Sequence, residues 1–137
     1  MNALKLQFLE TYRDLGLLLM RAGLGISFMF HGWPKLAGGA EKWEKVGSAM
    51  AVFGIEFGHT AFGLAASVSE LLGGLLLVLG LMTRPALVTL VFTMFVATIM
   101  HIANDHDFVK ISHPLEVGFA FLGLLFVGPG KFSFDKR

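Results

Sequence analysis

Five ionisable side chains stand inside, or at the ends of, otherwise apolar stretches: Arg21, His31, Glu70, His101 and Glu116. Together they offer proton and charge chemistry. A histidine exchanges protons near neutral pH. A desolvated glutamate holds a proton because burial raises its pKa. An arginine facing a carboxylate makes a bidentate, well-oriented ion pair. In hydrocarbon such groups are costly, about 2.5–3.5 kcal/mol for a central Arg, Lys or Asp, so they face the interior of a bundle and find partners there.

The apolar setting follows from composition. The chain has 137 residues, enough for one domain. Hydrophobic residues make up 55% and charged residues only 15%, with a mean hydropathy of +0.70. Soluble proteins carry roughly 25% charged residues, so the natural solvent for this chain is a bilayer. Disorder is excluded by the same numbers. The net charge of +1 excludes a basic nucleic-acid binder. With no cysteine, disulfides, thiolate metal sites and CxxC redox chemistry are excluded within the chain.

Crossing a membrane takes about 20 mostly apolar residues. Four stretches qualify: about Leu15–Leu36, Thr60–Leu81, Pro85–Ile102 and Pro114–Val127. Asp14 suits an N-cap for the first, and Pro85 and Pro114 suit the first turns of the third and fourth. Gly128-Pro129-Gly130 is a stop signal. The first stretch contains an arginine and lacks a small-residue cleavage site, which disfavours a signal peptide. The fold class predicted is all-α, a four-helix transmembrane bundle forming a single domain over 1–137. Only Leu81-Met82-Thr83-Arg84 separates the second and third spans, so they form a tight antiparallel hairpin. Between the first and second, Trp43, Val46, Met50 and Phe53 recur at spacings of three and four, while Glu41, Lys42, Glu44 and Lys45 fall largely elsewhere. That pattern describes a short amphipathic helix on the membrane surface, ended by Gly54.

Four spans put both termini on one side. That side carries Lys5, Arg13, Arg84, Lys131, Lys136 and Arg137, and the other carries Lys35, Lys42, Lys45 and Lys110. The positive-inside rule therefore favours cytoplasmic termini.

In this topology His31 ends the first span, His101 ends the third and Glu116 begins the fourth, all on one face. Arg21 lies about ten residues before His31 and Glu70 about ten after Thr60, so the two are expected at similar depth as an ion pair. The predicted site is a single cavity lined by His31, Glu70, His101 and Glu116 and closed at depth by Arg21–Glu70. Lys35 snorkels to its rim and Trp33 joins an aromatic belt. Bland readings stand beside each element. Arg21–Glu70 also serves as a structural pair, His31 and His101 as interfacial histidines, and Glu116 as a complement to a helix N-terminus. Asn104-Asp105-His106-Asp107 has the atoms for a metal with His101 or His113, but it reads as a solvated polar loop and no metal site is expected. Ala61, Ala65, Ser69 and Gly73 form a small-residue ridge for close helix packing, within the bundle or in a homo-oligomer.

The blocks Arg21-Ala-Gly-Leu-Gly-Ile-Ser-Phe-Met-Phe-His31-Gly32-Trp-Pro-Lys35 and Glu70-Leu-Leu-Gly73-Gly74-Leu-Leu-Leu-Val-Leu-Gly80-Leu-Met-Thr83-Arg84 resemble the first and second helices of the DoxX family. His101 and Glu116 add to the resemblance, which covers about Leu18 to Val127. It implies a multi-pass protein of the bacterial cytoplasmic (inner) membrane. Some relatives belong to quinone-dependent sulfur oxidation, and others accompany responses to quinones, catechols or oxidative stress. The function expected is therefore interaction with quinone or quinol, with no covalently bound cofactor. His31, Glu70, His101 and Glu116 are the candidate catalytic groups, and Arg21, His31, Trp33 and Lys35 the candidate cofactor-binding groups. The chain shows no flavin, haem or iron–sulfur motif, so a soluble redox partner or substrate must supply electrons. Two other functions fit the same residues: a non-catalytic membrane subunit that anchors soluble redox partners, and a small solute transporter.

Overall fold

The computed structural model describes residues 3–135, so Lys136 and Arg137 of the charge tally lie outside the described residues. A 3-10 turn at Gln7–Tyr12 leads into α1 (Arg13–Ala37). Then come α2 (Gly39–Gly47), a 3-10 turn at Ser48–Phe53, α3 (His59–Leu79), α4 (Thr83–Ala103) and α5 (Phe108–Val127). There is no strand among the described residues. Four helices are long and apolar enough to cross a membrane.

Two helix ends differ from expectation. α1 continues through Pro34, so His31 does not end it. α5 begins at Phe108, six residues before Pro114. Its N-cap is Asp107, whose carboxylate accepts the Lys110 N–H at 3.2 Å. A start at Pro114 would leave a helix too short for the hydrocarbon, and an acidic cap satisfies an N–H that proline merely lacks.

Glycine sets the helix crossings. A Cβ at Gly25 would lie 2.5 Å from the Gly74 carbonyl oxygen, and one at Gly74 2.5 Å from that of Gly25. A Cβ at Gly32 would lie 2.5 Å from the Leu71 nitrogen. α1 and α3 thus touch backbone to backbone. α2 crosses the first turns of α3 more closely still. A Cβ on Gly63 would run into the Trp43 carbonyl, and one on Gly47 into that of His59. The close-packing row on α3 is Gly63, Ser67, Glu70, Gly74 and Leu77, all buried. The ridge expected from sequence is split: Gly73 packs on Leu90 of α4, whereas Ala65 and Ser69 line a cavity.

Apolar side chains fill the centre. Phe28, Leu77, Leu87, Leu90, Phe121 and Leu124 are buried together, and the Phe28 and Phe121 rings meet edge to face with centroids 4.9 Å apart. This ring contact joins α1 to α5.

The face that carries the termini is closed by polar contacts. Arg21, fully buried, donates to the Leu77 carbonyl at 3.0 Å and to the Phe132 carbonyl. It therefore places a cation at the C-terminal end of α3, where the helix dipole favours one. Arg84 donates to the Leu125 carbonyl at 3.0 Å in the last turn of α5. Asp135 accepts the Met82 and Thr83 N–H groups at 2.9 and 2.8 Å. It caps α4 from a segment more than fifty positions away. Asp14 accepts the Lys131 N–H at 3.1 Å instead of capping its own helix. The Thr83 hydroxyl and N–H, then the Met82 N–H and the Arg21 charge, hold the Asp135 carboxyl below its ordinary pKa, against an opposing effect of burial.

Candidate functional site

At the opposite end of the bundle, α2 packs on α3, the 3-10 turn after it reaches α4, and a half-open cavity of about 970 Å³ lies beneath them. Its walls are largely apolar, with Phe62 and Ala66 from α3 facing Phe92, Val96 and Met100 from α4. The amphipathic helix expected between the first two spans forms the roof, but as an α-helix it ends at Gly47, and the 3-10 turn Ser48–Phe53 carries the segment on to Gly54. Trp43 Nε1 donates to the Leu36 carbonyl at 3.1 Å, which ties α2 back to α1. Phe53 stacks on Phe95, with centroids 6.3 Å apart.

Glu70 is the buried acid of this cavity, and its partner is Lys35. The ammonium lies 2.9 Å from both carboxylate oxygens. The Glu70 side chain is 4% exposed and that of Lys35 32%. The expected Arg21–Glu70 pair is therefore corrected: Arg21 binds carbonyls at the far end of α3. Its misplacement has a physical reason. The first turns of α3 pack on α2 rather than on α1. The α1–α3 register consequently sets Gly32 beside Glu70 and Leu71, and Arg21 beside Leu77 and Gly80. Lys35 also departs from expectation, because it turns inward to Glu70 instead of extending to the membrane surface. An ammonium has three N–H donors. Two serve Glu70, and the third is available to an acceptor in the cavity.

His101 lines the same cavity from the last turn of α4. Its Nδ1 lies 2.6 Å from Nδ1 of His106. One of these nitrogens must carry the proton and the other accept it, so the pair shares a proton at the cavity mouth. The Ser69 and Thr93 hydroxyls lie 3.5 Å apart across the α3–α4 wall.

The other sequence-predicted residues lie elsewhere. His31 packs against Phe28 and His113, with ring centroids at 5.6 and 5.5 Å, on the α1–α5 side. Trp33 is exposed, consistent with a place in the lipid interface. Glu116 is exposed on α5. Of the seven predicted residues, the cavity gathers Lys35, Glu70 and His101, and leaves Arg21, His31, Trp33 and Glu116 outside. Sequence reasoning missed Lys42 and Lys45 as lining residues of the roof, and it placed His106 with His101 only as atoms for a metal in a solvated loop. The lysines carried a signal, since they stand three apart on an amphipathic helix and so share a side. No group of three or more His, Asp or Glu able to hold a metal occurs among the described residues.

Four membrane-length helices around a partly buried ion pair define a small integral membrane protein. Comparison with known proteins makes this specific. The DoxX family model matches residues 16–103. Inner membrane protein YphA of Escherichia coli (strain K12) is 30% identical over an alignment of 145 residues that covers 100% of both chains. Inner membrane protein YqjF of the same organism is 30% identical over 139 residues, covering 93% of this chain and 95% of that one. No solved structure matches. The chain belongs to the DoxX family of membrane proteins.

Proposed function

We propose that the cavity binds a quinone or quinol, or a ring compound of that kind, within a membrane redox or oxidative-stress system. The observation that carries this reading is the Lys35–Glu70 ion pair set in the wall of a largely apolar cavity that Phe62 and Phe92 also line. A quinone needs these complements: apolar walls for a flat ring and a donor for a carbonyl oxygen. Reduction of a quinone to a quinol takes two electrons and two protons. The shared proton of His101 and His106 and the Lys35–Glu70 pair are the proton-holding groups at hand. The two electrons come from a flavin- or metal-bearing partner that approaches the quinone itself, since the chain carries no such motif. The two relatives described as inner membrane proteins support a place in a bacterial cytoplasmic membrane, and the charge bias supports cytoplasmic termini.

A second reading, a non-catalytic subunit that anchors soluble redox partners, draws on the face that carries the termini. There Phe132 and Phe134 are exposed beside Lys131 on a tail that the Arg21 and Asp135 contacts hold in place.

The test is mass spectrometry of organic extracts from protein purified in native lipid nanodiscs. Wild type is compared with Lys35→Gln/Glu70→Gln, an uncharged pair of similar volume. Quinone enriched over bulk lipid in wild type and lost in the variant is the expected result. No enrichment in intact wild-type preparations would remove the quinone reading and favour the anchoring subunit.

A further inference from the structure

The charges around the cavity are unbalanced. Lys35, Lys42 and Lys45 line it, and Glu70 is the carboxylate among the lining residues. Among the described residues the salt bridge present is Lys35–Glu70, which leaves Lys42 and Lys45 without a carboxylate within 4 Å. Both lysines are exposed on α2, three positions apart, on the cavity roof. Glu41 and Glu44 of the same helix are not among the lining residues, so the charges that α2 presents to the cavity are the two ammonium groups, and the low-dielectric walls strengthen their field.

We infer that the ligand is a small acidic aromatic molecule, an ionised hydroxyquinone, phenolate or aryl carboxylate. Its anionic group is held at the rim by Lys42 and Lys45, and its flat apolar body lies between Phe62 and Phe92. This deepens the binding reading above and rests on it. The geometry suits the assignment. Lys42 and Lys45 are exposed, Lys35 is partly buried against Glu70, and the rest of the lining is largely apolar, so a ring can keep its charge near water beside α2 while its body lies on the apolar wall. Charge-assisted hydrogen bonds from two ammonium groups discriminate strongly between an anion and its neutral analogue.

The test uses the hydroxynaphthoquinone lawsone, an anion at neutral pH, and its uncharged methyl ether. Affinities are measured by calorimetry on the full chain in phosphatidylcholine nanodiscs. Lawsone is expected to bind at least about tenfold more tightly, and that preference is expected to fall below about threefold in Lys42→Gln/Lys45→Gln. Both substitutions are on the surface, and the methyl ether's unchanged affinity serves as the control for folding. Equal affinity of the two probes in wild type would overturn the acidic-ligand inference and leave the cavity reading standing. Failure of both probes to bind would overturn both readings. A preference that survives the double substitution would overturn the role of the two lysines. A fall in lawsone affinity on replacing phosphatidylcholine with net-anionic phosphatidylglycerol that is much larger in wild type than in Lys42→Gln/Lys45→Gln would show anionic headgroups occupying the rim, and the small-acid inference would fall.

Discussion

The two ends of this bundle treat charge in opposite ways. At the end that carries the termini, Arg21, Arg84, Asp14 and Asp135 all meet backbone. Arg21 and Arg84 donate to carbonyls at the C-terminal ends of α3 and α5, and Asp135 accepts N–H groups at the start of α4. Charges spent on helix termini stabilise the fold and leave little for a ligand. At the other end, charges meet side chains or nothing. Lys35 pairs with Glu70 and keeps one donor, His101 shares a proton with His106, and Lys42 and Lys45 have no carboxylate beside them. The first arrangement is a clasp and the second is the proposed site. A buried ion in a membrane protein is therefore not by itself a mark of function. Arg21 is the most buried charge here, yet its partners make it structural.

This contrast can be broken at either end. The largest effect is expected from Gly63→Val, because the added carbon would run into the Trp43 backbone and push α2 off α3. Overpacking of this kind costs about 3 kcal/mol. With no native cysteine in the chain, a single Ala66→Cys reporter, at a half-buried position on the cavity wall, reads the damage directly. Thiol labelling should accelerate several-fold with Gly63→Val, and an unchanged rate would show that α2 does not roof the cavity.

Next comes Lys35→Gln, which strands the Glu70 carboxylate. Breaking such a pair on one side costs about 3–5 kcal/mol when both partners are buried, and here the lower figure applies because Lys35 is partly exposed. Thermal unfolding in detergent should show a large loss for the single variant and recovery of most of it in Lys35→Gln/Glu70→Gln. Additive losses would mean that the two side chains do not interact.

A smaller effect is expected at the clasp. Asp135→Asn should cost about 1 kcal/mol, the usual worth of a helix N-cap. The sign of its pH dependence follows from the lowered folded-state pKa. The contribution of Asp135 is full above the unfolded carboxylate value near ~3.9 and is lost as pH falls through the lower folded value. The stability gap between wild type and Asp135→Asn should therefore be constant near neutrality and close in acid. A gap that widened on acidification would contradict the cap.

Smallest of all, Glu116→Gln should change stability by less than about 0.5 kcal/mol, as at other exposed positions. It should also leave binding of the naphthoquinone probes unaltered. A clear loss of binding would bring α5 back into the site.

Sequence by itself determined the class of fold. Four long apolar stretches can be satisfied in lipid only as helices, because hydrocarbon offers no partner for a free backbone N–H or C=O. It also determined the amphipathic roof, since the periodicity of Trp43, Val46 and Met50 is a local property. Glu70 and His101 were legible as site residues because a lone ionisable group in an apolar helix must face something polar. Tertiary structure alone decided which group each one faces. Partners depend on helix register, and register was set by the crossing of Gly25 and Gly32 with α3 and by α2 occupying the first turns of α3 through Gly47 and Gly63. Those contacts moved Arg21 away from Glu70, brought Lys35 to it, and turned Lys42 and Lys45 over the cavity. Depth counted along separate helices cannot supply this, because it assumes the helices start level, and only backbone-to-backbone packing fixes how far one slides along another.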